Sequence, residues 1–128
     1  MDNNFEKVKS YLLDLEYSII KEDEANGIFV ISNKDGITNM IIAIADPILI
    51  LEQQLFTIKN DSADIYKQLL QKNRDIVHGA FAIDEKNNVL FRDTLQVENL
   101  DLNELEGSIN SLSLLLSEYL DKILEFSK

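Results

Sequence analysis

The sequence contains no cysteine, and this absence excludes several kinds of chemistry. Disulfide bonds, thiolate nucleophiles and cysteine–zinc sites all require a thiol. Histidine occurs once, as His78, so a nucleophilic serine would need that residue as its base. No serine lies in a nucleophile-elbow sequence, and the four glycines are scattered singly instead of forming a phosphate-binding loop. We therefore expect a protein that is not an enzyme and that uses no cofactor or metal.

Long apolar runs and basic residues are also scarce. The apolar stretches are of strand length, far from the roughly 18 consecutive residues that suggest a membrane span. The first six residues lack the basic patch and apolar run of a signal peptide. Twelve basic residues against twenty-three acidic ones give a net charge of −11, which repels phosphate backbones and anionic lipids. We expect a cytoplasmic protein that binds neither nucleic acid nor membranes.

The negative charge itself has two explanations. An acidic surface keeps a small domain soluble. It can also attract a basic partner and steer it to an acidic face. The composition does not distinguish between these two explanations.

The length and composition are typical of one domain spanning residues 1–128. At 45% hydrophobic residues, the chain can bury a core without a disulfide or metal. Periodicity and turn residues predict the order α-β-β-β-β-α-β-β-α. Strands that follow one another closely pair mostly antiparallel. The predicted fold class is therefore α+β, with one mostly antiparallel sheet of five to six strands and helices packed on it.

The first half of the chain contains one helix and four strands. Asp2 or Asn3 can cap the helix, whose apolar stripe is Phe5, Val8, Leu12 and Leu15. The predicted strands are residues 17–22, 28–32, 37–45 and 48–58, with turns at 26–27 and 35–36 and a break at 46–47. The third strand is apolar on both faces, which indicates a central, covered position. Glu52, Gln53 and Gln54 indicate that the fourth strand reaches solvent at its middle.

The second half contains a helix, a hairpin and a long final helix. Residues 60–62 open the second helix, Asn73 ends it, and its predicted buried stripe is Ile65, Leu69 and Leu70. Residues 79–83 and 89–95 form the hairpin around residues 84–88, which lack the ligand pattern of a calcium loop. Asp101 caps the last helix, and Glu104 completes a pattern like a capping box.

The last helix, residues 102–126, carries more apolar side chains than one core face needs. A seam with alternating three- and four-residue spacing consists of Leu102, Leu105, Ile109, Leu112, Leu116, Tyr119, Ile123 and Phe126. Leu114, Leu115, Leu120 and Leu124 lie outside it. The helix therefore has either one wide core face or a core face and a separate partner face. Gly107 and Ser111 are small residues one turn apart, where another backbone can approach closely.

Three polar residues form the main alternative to a binding protein. Asp46, His78 and Arg92 would support an enzymatic or small-ligand site if their side chains met in one pocket. The simpler interpretation makes Asp46 a turn residue, His78 a surface residue and Arg92 the partner of Asp93 in an ion pair.

A set of short motifs is spread over most of the chain. The motifs are residues 36–40, 46–49, 73–74, 78–81, 91–95 and 98–105, which read GITNM, DPIL, NR, HGAF, FRDTL and ENLDLNEL. Together they resemble the YbjN family, which is similar in fold to the type III secretion chaperones of the Tir chaperone, or CesT-like, group. The resemblance implies an α+β domain, often a homodimer, whose hydrophobic patches receive an extended segment of a client protein.

Two hypotheses about function follow. In the first, the domain binds a protein client through the sheet and the last helix, and the strand at 48–58 or a sheet edge adds a client strand. In the second, the same helix forms a regulatory or structural homodimer without a client. The candidate contact residues are Leu49, Leu51, Leu55, Leu112, Leu115, Leu116 and Tyr119.

Overall fold

The computed structural model describes residues 4–128 and contains one open antiparallel sheet with three helices on one of its faces. The elements are α1 (Asn4–Asp14), β1 (Ser18–Asp23), β2 (Ile28–Ser32), β3 (Met40–Ala45), β4 (Ile48–Thr57), α2 (Ala63–Asn73), β5 (Ala80–Ile83), β6 (Asn88–Gln96) and α3 (Leu102–Phe126). The six strands lie in the order β1-β2-β3-β4-β6-β5. The predicted α+β class and the predicted order of elements are confirmed. The predicted cap at Asp2 or Asn3 lies outside the described residues.

The strand register creates one buried face. Phe29 of β2, Ile42 of β3 and Leu51 of β4 lie side by side in one row, and all three are fully buried. Because side chains alternate across a strand, the residues between them point to the other face, which none of the three described helices covers. The core is therefore a single layer between the sheet and the helices.

Each helix is attached to the same face of the sheet by particular contacts. The ring of Phe5 in α1 stacks on Phe29, with 4.3 Å between the ring centroids. Asn73, at the end of α2, accepts a hydrogen bond from the backbone N–H of Phe81 at 2.7 Å and donates to the Phe81 carbonyl at 3.3 Å. In α3, the Ser108 hydroxyl donates to the Asp93 carboxylate of β6 at 2.5 Å. These contacts place α1, α2 and α3 over the core.

The second helix begins directly after residues 60–62, as predicted, and the cap predicted for the third helix is present. The Ser62 side chain accepts a hydrogen bond from the Asp64 N–H at 3.2 Å at the start of α2. The Asp101 carboxylate accepts one from the Glu104 N–H at 2.7 Å at the start of α3. Both caps satisfy N–H groups that have no partner inside the helix.

The third strand is shorter and less covered than predicted. It begins at Met40, not at residue 37, because the Asn33 side chain accepts hydrogen bonds from the N–H groups of Asp35 and Ile37 and folds this segment into a tight loop. Asn39 has φ of +52°, a left-handed conformation that ends the extended backbone. The strand is central, as expected, but Ile41 on its other face is 44% exposed.

A β-bulge changes the orientation of side chains in the fourth strand. The pairing of β4 with β6 shifts register between Gln54 and Phe56, so Leu55 is an extra residue. Gln53 before the bulge and Phe56 after it both point to the core, and Gln53 is only 5% exposed. The prediction that Gln53 reaches solvent is wrong, because Gln53 lies on the same side of the strand as the buried Leu49 and Leu51.

The predicted buried stripe of the second helix is partly wrong. Leu69 is buried and Ile65 packs beside the core, whereas Leu70 is 71% exposed. The helix lies near the end of the sheet and buries only a narrow stripe. Leu70 lies one residue, or about 100°, further round the helix than Leu69 and therefore points away from the core.

Candidate functional site

The seven predicted contact residues divide into buried and accessible groups. The four buried ones belong to the core and expose 3% or less of their surface; they are Leu49, Leu51, Leu112 and Leu115. A partner cannot touch these side chains while the domain is folded. The three partly exposed ones pack against the core from its border, and they are Leu55, Leu116 and Tyr119. Their role as contacts remains a prediction.

The last helix has exposed leucines beside its buried seam. Leu120 is 47% exposed and Leu124 is 53% exposed. With Leu116 they recur at intervals of four residues, so all three lie along one side of α3. We call Leu116, Leu120 and Leu124 the leucine stripe. Leu114 is 54% exposed on another side of the helix, and Leu115 is buried.

The leucine stripe forms one wall of a groove of about 680 Å³, which we call the β4–α3 groove. Its apolar lining consists of the stripe together with Ile41, Leu55, Leu90 and Ile123. Its polar lining consists of Thr38, Asn39, Glu52, Gln53, Gln54 and Asp84. Three elements that are distant in sequence, namely the start of β3, the middle of β4 and the end of α3, thus meet at this groove.

The β4–α3 groove contains an open strand edge. The pairing between β3 and β4 runs from Ala45 opposite Ile48 to Ile41 opposite Glu52 and stops there. The pairing between β4 and β6 continues to Thr57. Within the described part of the chain, the second half of β4 therefore has a strand neighbour on one side only. An exposed strand edge is a template for pairing with another chain.

The loop before β3 borders this edge and is held by Gln53. The Gln53 side-chain amide accepts a hydrogen bond from the Thr38 N–H at 3.0 Å and donates one to the Gly36 carbonyl at 3.1 Å. Gly36 has φ of +100°, and a Cβ atom there would lie 2.9 Å from Leu116 Cδ1. No sequence pattern indicates the contact between Gln53 and the loop, since a glutamine in a polar run is typical of an exposed position.

The polar lining of the groove is acidic. Glu52 and Asp84 are its charged residues, and among residues 4–128 no lysine or arginine contributes to the lining. Arg92 Nη1 lies 3.3 Å from the Glu52 carboxylate, on the sheet face that no helix covers. Hydrogen bonds from the Asn88 side chain and backbone hold the pKa of Asp84 below its ordinary value of 3.8. Asp84 therefore keeps its negative charge at neutral pH.

A second hollow, of about 390 Å³, lies between α3 and the connection from α2 to β5. Here the Ser111 hydroxyl donates to the His78 carbonyl at 2.6 Å and lies 3.3 Å from the His78 N–H. Gly107, one turn earlier, faces the His78 ring. The predicted close backbone approach is therefore present at Ser111, where the approaching backbone belongs to this chain, whereas the neighbour of Gly107 is a side chain.

Tyr119 lies on the side of α3 that faces α2. The Lys72 ammonium is 5.1 Å from the centroid of its ring, within the range of a cation–π contact. Burial raises the pKa of the Tyr119 hydroxyl above its ordinary value. This side chain therefore joins two helices of the domain, although part of it is accessible.

The three residues of the alternative site do not come together. Asp46 lies at the turn between β3 and β4, where the Asn4 side-chain amide donates to it at 3.4 Å. His78 lines the hollow beside α3, and Arg92 pairs with Glu52 on the uncovered sheet face. Of residues 4–128, no group of three or more histidines and carboxylates is arranged to hold a metal ion. None of the helices in this range is long and apolar enough to cross a membrane.

Solved structures with a similar fold include YbjN and type III secretion proteins. YbjN from E. coli has 13% sequence identity and a TM-score of 0.68, and the match covers 91% of each chain. The Yersinia pestis type III secretion chaperone SycH, in complex with a stable fragment of YscM2, has 17% identity and a TM-score of 0.64, covering 98% of this chain and 100% of that one. The heterodimeric complex ExoU–SpcU from the type III secretion system of Pseudomonas aeruginosa contains a similar chain. That chain has 12% identity and a TM-score of 0.69, and the match covers 87% of this chain and 93% of that one. At these identities the likeness establishes the fold.

Sequence comparison gives a separate result. No curated protein matches this sequence. The CesT_Tir_1 family model, in contrast, matches residues 1–128. This match confirms the resemblance to CesT-like chaperones and to YbjN that the motifs indicated. The chain belongs to the CesT_Tir_1 family.

Proposed function

We propose that this protein is a non-enzymatic, secretion-chaperone-like domain that binds a segment of another polypeptide through the leucine stripe. The observation that carries the proposal is that Leu120 and Leu124, on a helix whose core face is buried, remain about half exposed. Exposed leucines arranged along a groove mark an interaction surface. The proposed setting is the cytoplasm, with neither nucleic acid nor a membrane as partner.

The fold neighbours support a polypeptide as the partner. SycH was solved with a fragment of a second protein, and ExoU–SpcU is a complex of two different proteins. These facts concern the neighbours. For this chain they favour a protein ligand over a small molecule, in agreement with a groove that joins a helix to a strand edge.

The stripe alone does not provide a stable complex. Complete burial of a leucine side chain contributes about 1.5–3 kcal/mol. Since Leu120 and Leu124 are already half buried, the stripe contributes on the order of 2–4 kcal/mol when a partner covers it. Micromolar affinity requires about 8 kcal/mol. A client must therefore also form contacts elsewhere in the groove.

Co-purification from the native cell tests the proposal. The tagged protein is compared with a Leu120→Glu/Leu124→Glu variant and with a matched control, Leu13→Glu/Leu70→Glu, whose leucines are exposed on α1 and α2 outside the groove. Thermal unfolding establishes that all three proteins are folded. We expect the stripe variant to lose a partner that the wild type and the control retain. Equal recovery from all three proteins would contradict the proposal.

A homodimer without a client is the second candidate function. The four-residue spacing of the leucine stripe is also suited to packing against a second helix. Repulsion between two copies that each carry a net charge of −11 opposes this arrangement. Light scattering over a concentration series separates the two candidates. If Leu120→Glu abolishes a dimer while co-purifying proteins remain, the stripe serves self-association.

A further inference from the structure

A third hollow, of about 640 Å³, lies at the end of the sheet where β1 begins and β2 ends. It is lined by the turn from α1 to β1, the loop from β2 to β3 and the first half of α3. We call it the Tyr17 hollow, after the tyrosine that lines it. Among the described residues, none lines both this hollow and the β4–α3 groove. The two are therefore separate places on the molecule.

Tyr17 directs its hydroxyl group into this hollow. The residue is only 8% exposed, and its ring belongs to the core. A buried tyrosine hydroxyl usually has a hydrogen-bond partner, and the Tyr11 hydroxyl has one in the Leu100 carbonyl at 3.2 Å. The Tyr17 hydroxyl has none within residues 4–128, although every fully buried side-chain nitrogen and oxygen in that range is satisfied. The hydroxyl is therefore the part of Tyr17 that reaches the hollow.

Two carboxylates from distant parts of the chain lie near this hydroxyl. Burial raises the pKa of Tyr17 above its ordinary value of 10.0, and the negative charges of Glu106 and Asp35 raise it further. The phenol therefore stays protonated at neutral pH, and its oxygen can accept a hydrogen bond. Within the described part of the chain, neither Glu106 nor Asp35 forms an ion pair. Both residues line the hollow, which thus contains two negative charges outside any ion pair.

The rest of the lining extends this pattern. Glu16 adds a third carboxylate, and Lys34 is the only basic residue that the described part of the chain contributes. Three negative charges against one positive charge leave an excess of two. Leu15 and Ile20 add apolar surface, and Ile20 is 59% exposed. The hollow thus offers acceptors for positive charge beside a wall suited to a hydrocarbon chain.

A metal ion does not suit these carboxylates. A calcium ion requires about six to eight oxygen ligands around one point. In the range 4–128, carboxylates and histidines do not converge in groups of three that could hold an ion. An organic cation, in contrast, distributes its charge over several N–H donors and needs no closed coordination shell.

We infer that the Tyr17 hollow binds a small organic cation, namely an aliphatic chain that carries amine or guanidinium groups. One cationic group would donate hydrogen bonds to the Tyr17 hydroxyl and to the carboxylates of Glu106 and Asp35, and such charged hydrogen bonds are stronger than neutral ones. The methylene groups would cover Leu15 and Ile20. The excess of two negative charges favours a ligand with two positive charges. This site does not depend on the proposed function, because it lies outside the β4–α3 groove.

The probe is agmatine, which carries an amine and a guanidinium group on one short aliphatic chain. N-Butylurea is the control of similar shape without charge, and calcium chloride tests a metal ion. NMR titration of the full chain follows the amide signals of residues 15–20 and 32–35, at about 0.15 M salt to screen long-range attraction. We expect agmatine alone to shift these signals. No effect of agmatine, equal binding of N-butylurea, or tighter binding of calcium would each overturn the inference.

Three protein variants show whether the hydroxyl and the charge act locally. Tyr17→Phe removes only the hydroxyl, and Glu106→Gln, at an exposed position, removes one charge at nearly constant volume. Asp121→Asn is the matched control, since Asp121 is exposed on α3 outside the hollow. The first two variants should weaken agmatine binding about tenfold, because each removes a hydrogen bond to a charged group. The control should keep the wild-type affinity.

The comparison with the control decides between a site and general attraction. Equal weakening by Glu106→Gln and Asp121→Asn would reduce the binding to the net charge of −11 and overturn the site. Unchanged affinity in a folded Tyr17→Phe or Glu106→Gln variant would reject the assigned contacts. Glu106→Gln keeps the test decisive if Tyr17→Phe does not fold.

Discussion

Adjacent leucines on α3 should respond very differently to the same substitution. Leu115 is 3% exposed and packs in the core, whereas Leu114 is 54% exposed. Replacing a buried leucine by alanine costs about 2–5 kcal/mol of the free energy of unfolding. Leu115 also borders the hollow beside His78, which is open to water, so we expect the lower half of that range, about 2–3 kcal/mol. Leu114→Ala should change stability by no more than about 0.5 kcal/mol.

Thermal and urea unfolding, followed by circular dichroism, measure this difference. For a domain of this size, 1 kcal/mol corresponds to a change in Tm of roughly 3–5 °C. Leu115→Ala should therefore lower Tm by about 6–15 °C, and Leu114→Ala by no more than about 2–3 °C. Equal changes in Tm for the two variants would refute the assignment of the core face of α3 and would exclude the leucine stripe, which depends on the same rotation of the helix.

Three further substitutions test separate parts of the structure. Gly79 has φ of +87°, and a Cβ atom there would lie 2.5 Å from the Phe91 ring. Gly79→Ala should therefore lower the free energy of unfolding in urea by at least about 1–3 kcal/mol. A neutral effect would contradict the close approach of Gly79 to Phe91. Asp101→Ala removes the cap of α3 and should cost about 1 kcal/mol in the same assay. The pKa of Asp84 is lowered in the folded state. Its contribution to hairpin stability is therefore complete above the unfolded-state pKa of about 3.8, and it is lost as the pH falls through the lower pKa of the folded state. The Asn88 amide resonance should follow that titration in NMR spectra, and Asp84→Asn should abolish the transition.

Much of the fold is encoded in local patterns and could be predicted from the sequence. The order of elements follows from periodicity and turn residues, and the cap at Asp101 follows from its spacing to Glu104. The apolar stripe of α1 is buried at Phe5, Val8 and Leu12. In these cases each residue's environment depends on neighbours within one or two turns of the chain.

The predictions that were wrong depended on contacts between distant segments. The bulge in β4 arises from its pairing with β6, about 35 residues later in the sequence, and it brings Phe56 to the same face of the sheet as Gln53. The exposure of Leu70 depends on where α2 sits relative to the sheet. The hydrophobic pattern within a single strand or helix contains no information about the position of the bulge or about the place of α2 on the sheet.

The candidate site was predicted in part. The sequence indicated surplus apolar surface on α3, and Leu114, Leu120 and Leu124 do remain exposed. It could not show that Leu115 fills the core, because Leu115 and Leu116 both lie at helical spacing from Leu112. It also gave no sign of the open β4 edge, which exists because a loop ends β3 early. The site is thus a product of tertiary packing more than of a motif.

Site-specific photo-crosslinking in the native cell shows whether the leucine stripe contacts another polypeptide. A photoreactive amino acid replaces Leu120 or Leu124 in the leucine stripe and, as matched controls, Leu13 or Leu70, which are exposed outside the groove. We expect crosslinks from the stripe positions to another polypeptide and none to that polypeptide from the controls. Crosslinks from the control positions alone, or from the stripe to a second copy of this chain alone, would contradict it.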